Sequence, residues 1–130
     1  MENIIKELRE IEVFYIATID NNKPRVRPFS SVTLYNGKIY ICTNSTKDVW
    51  KQICNNPYVE LCGVNKKGEW IRLSCKLVND DDIDAKKAIL NDPTGPSSIY
   101  KYDDEIFKVM YLDEVKCMKY SFTSEPFEIK

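Results

Sequence analysis

The chain has no histidine. That absence removes Ser-His and Cys-His nucleophilic pairs, the imidazole proton shuttle and imidazole metal ligation, so any proton must come from water, a tyrosine or a carboxylate. Glycine is scarce, at four residues, and none of the four falls in the G-x-G-x-x-G or G-x-x-x-x-G-K-S/T spacing that Rossmann and P-loop phosphate cradles need. The five cysteines (Cys42, Cys54, Cys62, Cys75 and Cys117) are odd in number and lack any C-x-x-C spacing. A disulfide framework or a zinc site is therefore not expected, and most of these cysteines read as small hydrophobes in a reduced cell. Charge of one sign is also missing. Nineteen Lys and Arg against 20 Asp and Glu leave a net charge of −1, which gives no electrostatic reason to expect nucleic acid or an anionic membrane as partner. No apolar run approaches membrane-spanning length, and Met1 to Leu8 lacks the basic-then-apolar layout of a signal peptide. The expectation is a cytoplasmic protein of 130 residues folded as a single domain, 1–130.

What is present is a strand that runs through a hydroxyl-rich loop into a helix, from Lys38 to Pro57. The first turn of a helix carries backbone N–H groups without intrahelical partners, and the aligned peptide dipoles add partial positive charge there. Thr43, Ser45 and Thr46 add hydroxyls and Lys47 adds a full charge at the same end. Two readings are open: a phosphate cradle, or an ordinary N-cap by Ser45 or Thr46 beside a solvated lysine. Upstream, Ala17 to Phe29 reads as a hairpin whose second strand sets Arg25, Arg27 and Phe29 on one face. Guanidinium groups suit forked hydrogen bonding to phosphate and stay charged at ordinary pH. The competing reading is an edge strand kept unpaired by charge and by Pro28, which lacks a ladder donor.

The ordered series Ala17-Thr18-Ile19-Asp20, Lys23-Pro24-Arg25-Val26-Arg27-Pro28, Tyr40-Ile41-Cys42-Thr43, Lys47, Gln52-Ile53 with Asn56-Pro57, and Glu69-Trp70-Ile71-Arg72 resembles the pyridoxamine 5′-phosphate oxidase-like family of FMN-binding split barrels. The resemblance implies a mainly β protein, a β-barrel with a few helices, that pairs as a homodimer and holds FMN in clefts between subunits. It places Arg25, Val26, Arg27, Pro28, Cys42, Thr43, Ser45, Thr46 and Lys47 around the cofactor. Because the cationic and hydroxyl clusters sit at a strand end and a helix start, Arg27 and Lys47 are expected to neutralise its phosphate, helped by Arg25 and the hydroxyls of Thr43, Ser45 and Thr46. It also sends the strand bearing Trp70 and Arg72 across the dimer towards the partner's flavin. Cys42 is expected to contribute backbone and packing contact rather than thiol chemistry, because no evident base adjoins it. Cys75 stands where relatives often carry glycine, so local backbone geometry is expected to differ there.

The remaining elements follow from periodicity and turn chemistry. Ile4, Ile5, Leu8 and Ile11 fall at helical spacing, predicting a helix over about 2–10. Residues 13–20 carry apolar side chains on both faces, as in a buried strand. Asn36-Gly37 predicts a tight hairpin, residues 47–55 a second helix, and 58–64 with 69–78 a second hairpin. Ile71, Leu73, Cys75 and Leu77 alternate with an outer face of Trp70, Arg72, Ser74 and Lys76, a face expected to be covered by another surface. Asp80 to Asp82 predicts the cap of a third helix reaching about Leu90. Two last strands, about 106–112 and 115–122, are expected to meet at Asp113-Glu114. Short connections favour a closed barrel without exposed edges.

For function, flavin would bring its own redox reactivity. The oxidases of the family carry a C-terminal segment with arginine and histidine contacts to their substrate that this sequence lacks, so pyridoxamine phosphate oxidation is not the expected activity. The expectation is an FMN-dependent oxidoreductase acting on an unidentified small molecule. The alternatives are a non-catalytic flavin-binding or redox-sensing module, and a barrel that has lost its cofactor. The loop Asp92 to Ser98 and the tail around Phe127 are expected to border the substrate opening.

Overall fold

Four apolar side chains at helical spacing start the fold. In the computed structural model, which describes residues 1–130, α1 (Glu2–Ile11) buries Ile4, Ile5, Leu8 and Ile11. It stops where Glu12 takes φ 64° and ψ −68° and Val13 N–H donates to the Ile11 carbonyl at 2.7 Å, a tight γ-turn. β1 (Phe14–Asp20) follows. Only its inward set, Phe14, Ile16 and Thr18, is buried; Tyr15 and Ile19 keep 49% and 47% of their surface. The expected two-sided burial therefore does not occur, because no helix or second sheet of this chain lies over the outer face.

Asn21 and Asn22 both adopt positive φ (47° and 69°), and the two-residue turn matches the twist of the strands it joins. β2 (Lys23–Phe29) returns with Arg25, Arg27 and Phe29 opposite Thr18, Ile16 and Phe14. Asn36 and Gly37 (φ 51° and 74°) make the same kind of turn between β3 (Thr33–Tyr35) and β4 (Lys38–Asn44). α2 (Asp48–Asn55) starts one residue later than expected and has neither Ser45 nor Thr46 as its cap. Asn44 is the reason: its Oδ1 accepts both the backbone N–H and the hydroxyl of Thr46. That local side-chain turn competes with capping. Lys47 takes the cap position without a side-chain bond; Trp50 N–H donates to the Lys47 carbonyl at 3.2 Å, and the N–H groups of Asp48 and Val49 are left without a side-chain cap.

β5 (Tyr58–Val64) and β6 (Trp70–Asn79) form the second hairpin. In its turn Gly68 has φ 78°, and Asn65 Oδ1 accepts the N–H groups of Lys67 and Glu69. α3 (Ile83–Asn91) is capped by Asp82, which accepts from Asp84 N–H. The last two expected strands are one, β7 (Phe107–Tyr120). The pairing passes from Ser74↔Lys116 to Lys76↔Asp113, and Glu114 takes φ 51°, so a bulge absorbs the extra residue where a break was anticipated. Cys75 sits within this register shift and is buried. A short final strand, β8 (Phe127–Ile129), was not anticipated; it pairs with β7 at Cys117 to Lys119.

The strands form one antiparallel sheet in the order β2-β1-β5-β6-β7-β4-β3, with β8 on β7. β2 and β3 are its unpaired ends, so the barrel is split, and the expected closure without free edges does not occur. In a two-residue hairpin, alternate residues of β2 turn their N–H groups outward. From the register those are Pro24, Val26 and Pro28. Two of the three have no N–H, which blunts the edge against a further strand.

Inside the curl, 20 buried residues from α1, α2 and the inward strand faces make one cluster. A smaller one, of Tyr40, Ala85, Ile89, Phe107 and Val109, seats α3 on the other side of β4 and β7. Each large side chain fully buried here, such as Leu8 or Phe14, contributes about 1.5–3 kcal/mol. α2, threaded between β4 and β5 and packed on β1, brings its polar face against the β2 edge.

Candidate functional site

Between β2 and the N-terminal end of α2 lies a cleft of about 740 Å³. Four cations line it (Arg25, Arg27, Lys47 and Lys51), with two carboxylates, Asp20 and Asp48. Lys47 and Lys51 enter none of the protein's ion pairs. Arg25 is held by Asp20 through a single half-exposed contact of 3.2 Å, worth at most about 1 kcal/mol.

Arg27 is fixed from behind. Its Nη1 donates to Thr18 Oγ1 at 2.8 Å and to the Ile16 carbonyl at 3.2 Å, and its Nη2 donates to Gln52 Oε1 at 2.6 Å. Thr18 Oγ1 in turn donates to the same Gln52 Oε1 at 2.6 Å. A guanidinium has five N–H donors; three are used here, and Nε with one hydrogen of Nη2 remain for the cleft. Burial lowers the Arg27 pKa somewhat, against the opposing field of Asp48, and an arginine so placed stays charged. The result is a pre-oriented cation at a helix start without a side-chain cap, with two ammonium groups beside it that enter no ion pair. That donor set fits an oxyanion such as a phosphate ester.

Of the residues expected around a cofactor, Arg25, Val26, Arg27, Pro28 and Lys47 line this cleft. Cys42, Thr43, Ser45 and Thr46 do not. Cys42 packs towards α3, and burial raises its thiol pKa. Thr43 points into the interior with its hydroxyl buried and unpartnered. Ser45 N–H donates to the Ile106 carbonyl at 2.9 Å, and Thr46 is engaged by Asn44. Trp70 and Arg72 lie on the outer face of the sheet. Trp70 stacks on Tyr120 (5.7 Å between centroids, 9° between planes) and tilts against Phe122, and Arg72 pairs with Glu60 at 3.3 Å.

Sequence reasoning did not single out Thr18, Asp48, Lys51 and Gln52 as site residues. Two signals were available. Thr18 is a polar residue in the inward register of Phe14 and Ile16, and Lys47 and Lys51 are four apart on one helix face. The loop Asp92 to Ser98 lines a different groove, against α1. It is tied down by Thr94 to both backbone groups of Val32 and by Asp92 to Arg9 at 2.9 Å. The tail at Phe127 is part of β8. Neither borders the cationic cleft.

Residues 1–98 match the family model described as pyridoxamine 5′-phosphate oxidase. The chain belongs to this family. Its split-barrel fold is shared with a NimC/NimA family protein from Clostridium acetobutylicum at 41% identity and a TM-score of 0.95, over 99% of this chain and 90% of that one. Two more distant structures share the fold alone. One is a pyridoxamine 5′-phosphate oxidase-related, FMN-binding protein from Nostoc punctiforme (17% identity, TM-score 0.71, 94% of this chain and 82% of that one). The other is a heme-binding protein from Mycobacterium smegmatis (14%, 0.74, 95% and 56%). A curated relative, penicillin-binding protein 1A from Clostridium botulinum, is 29% identical over 112 residues. The match covers 86% of this chain but only 12% of that protein's length.

Proposed function

We propose that the β2–α2 cleft holds the 5′-phosphate of FMN and that the protein is a flavin-dependent oxidoreductase acting on a small molecule as a homodimer. The observation that carries this reading is the donor set of the cleft: a fixed Arg27 with free N–H groups, Lys47 and Lys51 unpaired, and a helix start without a side-chain cap. Bound flavin would supply hydride and electron transfer. The chain's own residues would bind and orient: Arg27 through its Nε and outer Nη2 hydrogens, the lysines as neutralising charges, and Val26 through the one outward N–H of the β2 edge. The same donor set favours a phosphate-bearing flavin over heme, as does the lack of a histidine to ligate iron.

Cys42, Thr43, Ser45 and Thr46 would then support the cradle from the second layer rather than touch the phosphate. Trp70 and Arg72 would serve the partner's site, across the two-fold axis. Support for the dimer is the outer sheet face, where Tyr15, Ile19, Tyr58, Val64 and Phe122 stay exposed around the Glu60–Arg72 pair. An apolar patch spread over adjacent strands marks an interaction surface, and a symmetric pair of copies buries it by self-complementarity. The five thiols are free, and no helix is long and apolar enough to cross a membrane; we assign the cytoplasm as compartment.

Titration with FMN followed by visible absorption tests the reading. A bound, perturbed flavin spectrum is expected, with bleaching by NADH or NADPH under anaerobic conditions. A protein that takes up no FMN overturns the cofactor assignment. Bound flavin that neither nucleotide reduces shifts the conclusion to a flavin-binding or redox-sensing module.

A further inference from the structure

Gln52 is a buried polar residue on α2, and both of its side-chain hydrogen bonds go to one atom, Oε1. One donor to that atom is the Arg27 guanidinium, which can only donate. The other is the Thr18 hydroxyl, whose oxygen is already occupied in accepting from Arg27 Nη1, so its own hydrogen is left to point at Gln52. Two donors converging on one atom require an oxygen there, and this fixes which way the carboxamide is turned. The amide nitrogen Nε2 is thereby left with both hydrogens free. Gln52 lines the cationic cleft, next to Lys51 and one turn beyond Asp48.

We propose that Gln52 is a ligand-specificity residue whose Nε2 donates a neutral hydrogen bond to the phosphate ester seated against Arg27; this rests on the flavin reading above. The arrangement has a chemical reason. Asp48 and Asp20 already place two carboxylates in the cleft, so a phosphate dianion enters against some repulsion, and a donor that cannot swing away adds attraction without further charge to desolvate. The lysines cannot do this, since their four-carbon stems leave the ammonium groups unplaced. Thr18 contributes as a positioning residue: its hydroxyl bridges Arg27 and Gln52, so one buried side chain sets the direction of both donors.

The test uses the full chain labelled with ¹⁵N and three probes: FMN, riboflavin and inorganic phosphate. The carboxamide signals of Gln52 are assigned by their loss in Gln52→Glu. FMN and inorganic phosphate should move those signals, and riboflavin, which lacks the phosphate, should leave them in place. Gln52→Glu keeps the acceptor for Arg27 and Thr18 but replaces the free donor by a carboxylate oxygen. It should bind FMN roughly 10–100-fold more weakly while binding riboflavin as the unmodified protein does. Wild-type protein that saturates with FMN while its Gln52 signals stay still overturns the proposal and leaves the flavin reading intact. So does a Glu variant with undiminished FMN affinity. Wild-type protein that responds to neither FMN nor phosphate overturns the reading of the cleft and the proposal with it.

Discussion

Thr18 on β1 and Gln52 on α2, 34 residues apart in sequence, meet in the interior through a 2.6 Å hydrogen bond from Thr18 Oγ1 to Gln52 Oε1. With Arg27 they close a three-membered polar network in an otherwise apolar wall. Buried polar groups are costly when a partner is removed, because the survivors keep their desolvation penalty. Thr18→Val should therefore lower stability by about 1–3 kcal/mol in urea unfolding. A loss below about 0.5 kcal/mol would mean that the network carries no such weight.

Arg27→Ala should weaken FMN binding by about 1.5–3 kcal/mol, the usual worth of a hydrogen bond to a charged group. Riboflavin should bind the variant and the unmodified protein about equally. Fluorescence titration with both flavins checks this. Equal losses for the two ligands would move the phosphate elsewhere.

Thiol titration reads the assembly. Cys54 and Cys62 are exposed in the single chain, whereas Cys75 and Cys117 are buried, with thiols pushed up to about 12 and about 11, first of all by burial. Those two should react slowly at neutral pH, since the thiolate is the nucleophile. Cys62 lies on the outer face opposite Tyr15, so in a dimer only Cys54 should react fast, and dilution below the dimer constant should release Cys62. Fast reaction of both at every concentration, alongside a monomeric mass in sedimentation, would remove the dimer.

Acid sensitivity should be traceable to Glu69. The hydrogen bond from Asn65 Nδ2, set against a smaller opposing effect of burial and aided by Lys119, holds its carboxyl below the ordinary value of 4.5. A carboxylate with a depressed folded-state pKa adds stability that is complete above the unfolded-state value. That contribution is lost as pH falls through the folded-state value. Glu69→Gln should thus flatten the acid limb of the stability profile below about pH 4.5, with its slope from pH 6 to 9 unchanged. An unaltered acid limb would show that the contact does not distinguish the two states.

Gly95→Ala should destabilise the Asp92–Ser98 loop. A Cβ there would stand 2.0 Å from the Ile89 carbonyl oxygen, a backbone atom that cannot turn aside. Thermal unfolding should report a lower midpoint, while FMN affinity stays as it was because the loop lies outside the cleft. A fall in FMN affinity larger than the loss of stability explains would bring the loop back into the binding site.

The helices and hairpins were legible because their signals are local. Four isoleucines and leucines at helical spacing set α1, the Asn36-Gly37 pair tolerant of positive φ set its turn, and a run of aspartates capped α3. Strict alternation fixed which face of β6 would be inside. The family resemblance, carried by ordered short motifs, supplied the split barrel. Elements whose identity depends on a distant partner were misread. β7 continues through Asp113-Glu114 because β6 on one side holds it in register across the bulge, and β8 exists because β7 offers an edge three residues long.

At the candidate site, composition pointed to the cations on β2 and at the start of α2, since charge and hydroxyl content are properties of residues. Which of them share a cleft is a property of packing. Asn44 takes Thr46 away from the helix cap, Thr43 turns inward with its strand, and Thr18 and Gln52 come together because the curl of the sheet lays α2 across β1. No pattern within either segment encodes that contact. The sequence by itself therefore determined the elements and the chemical character of the site. Tertiary structure alone decided its membership, because a hydrogen bond between a strand and a helix 34 residues later depends on the path of the chain that joins them.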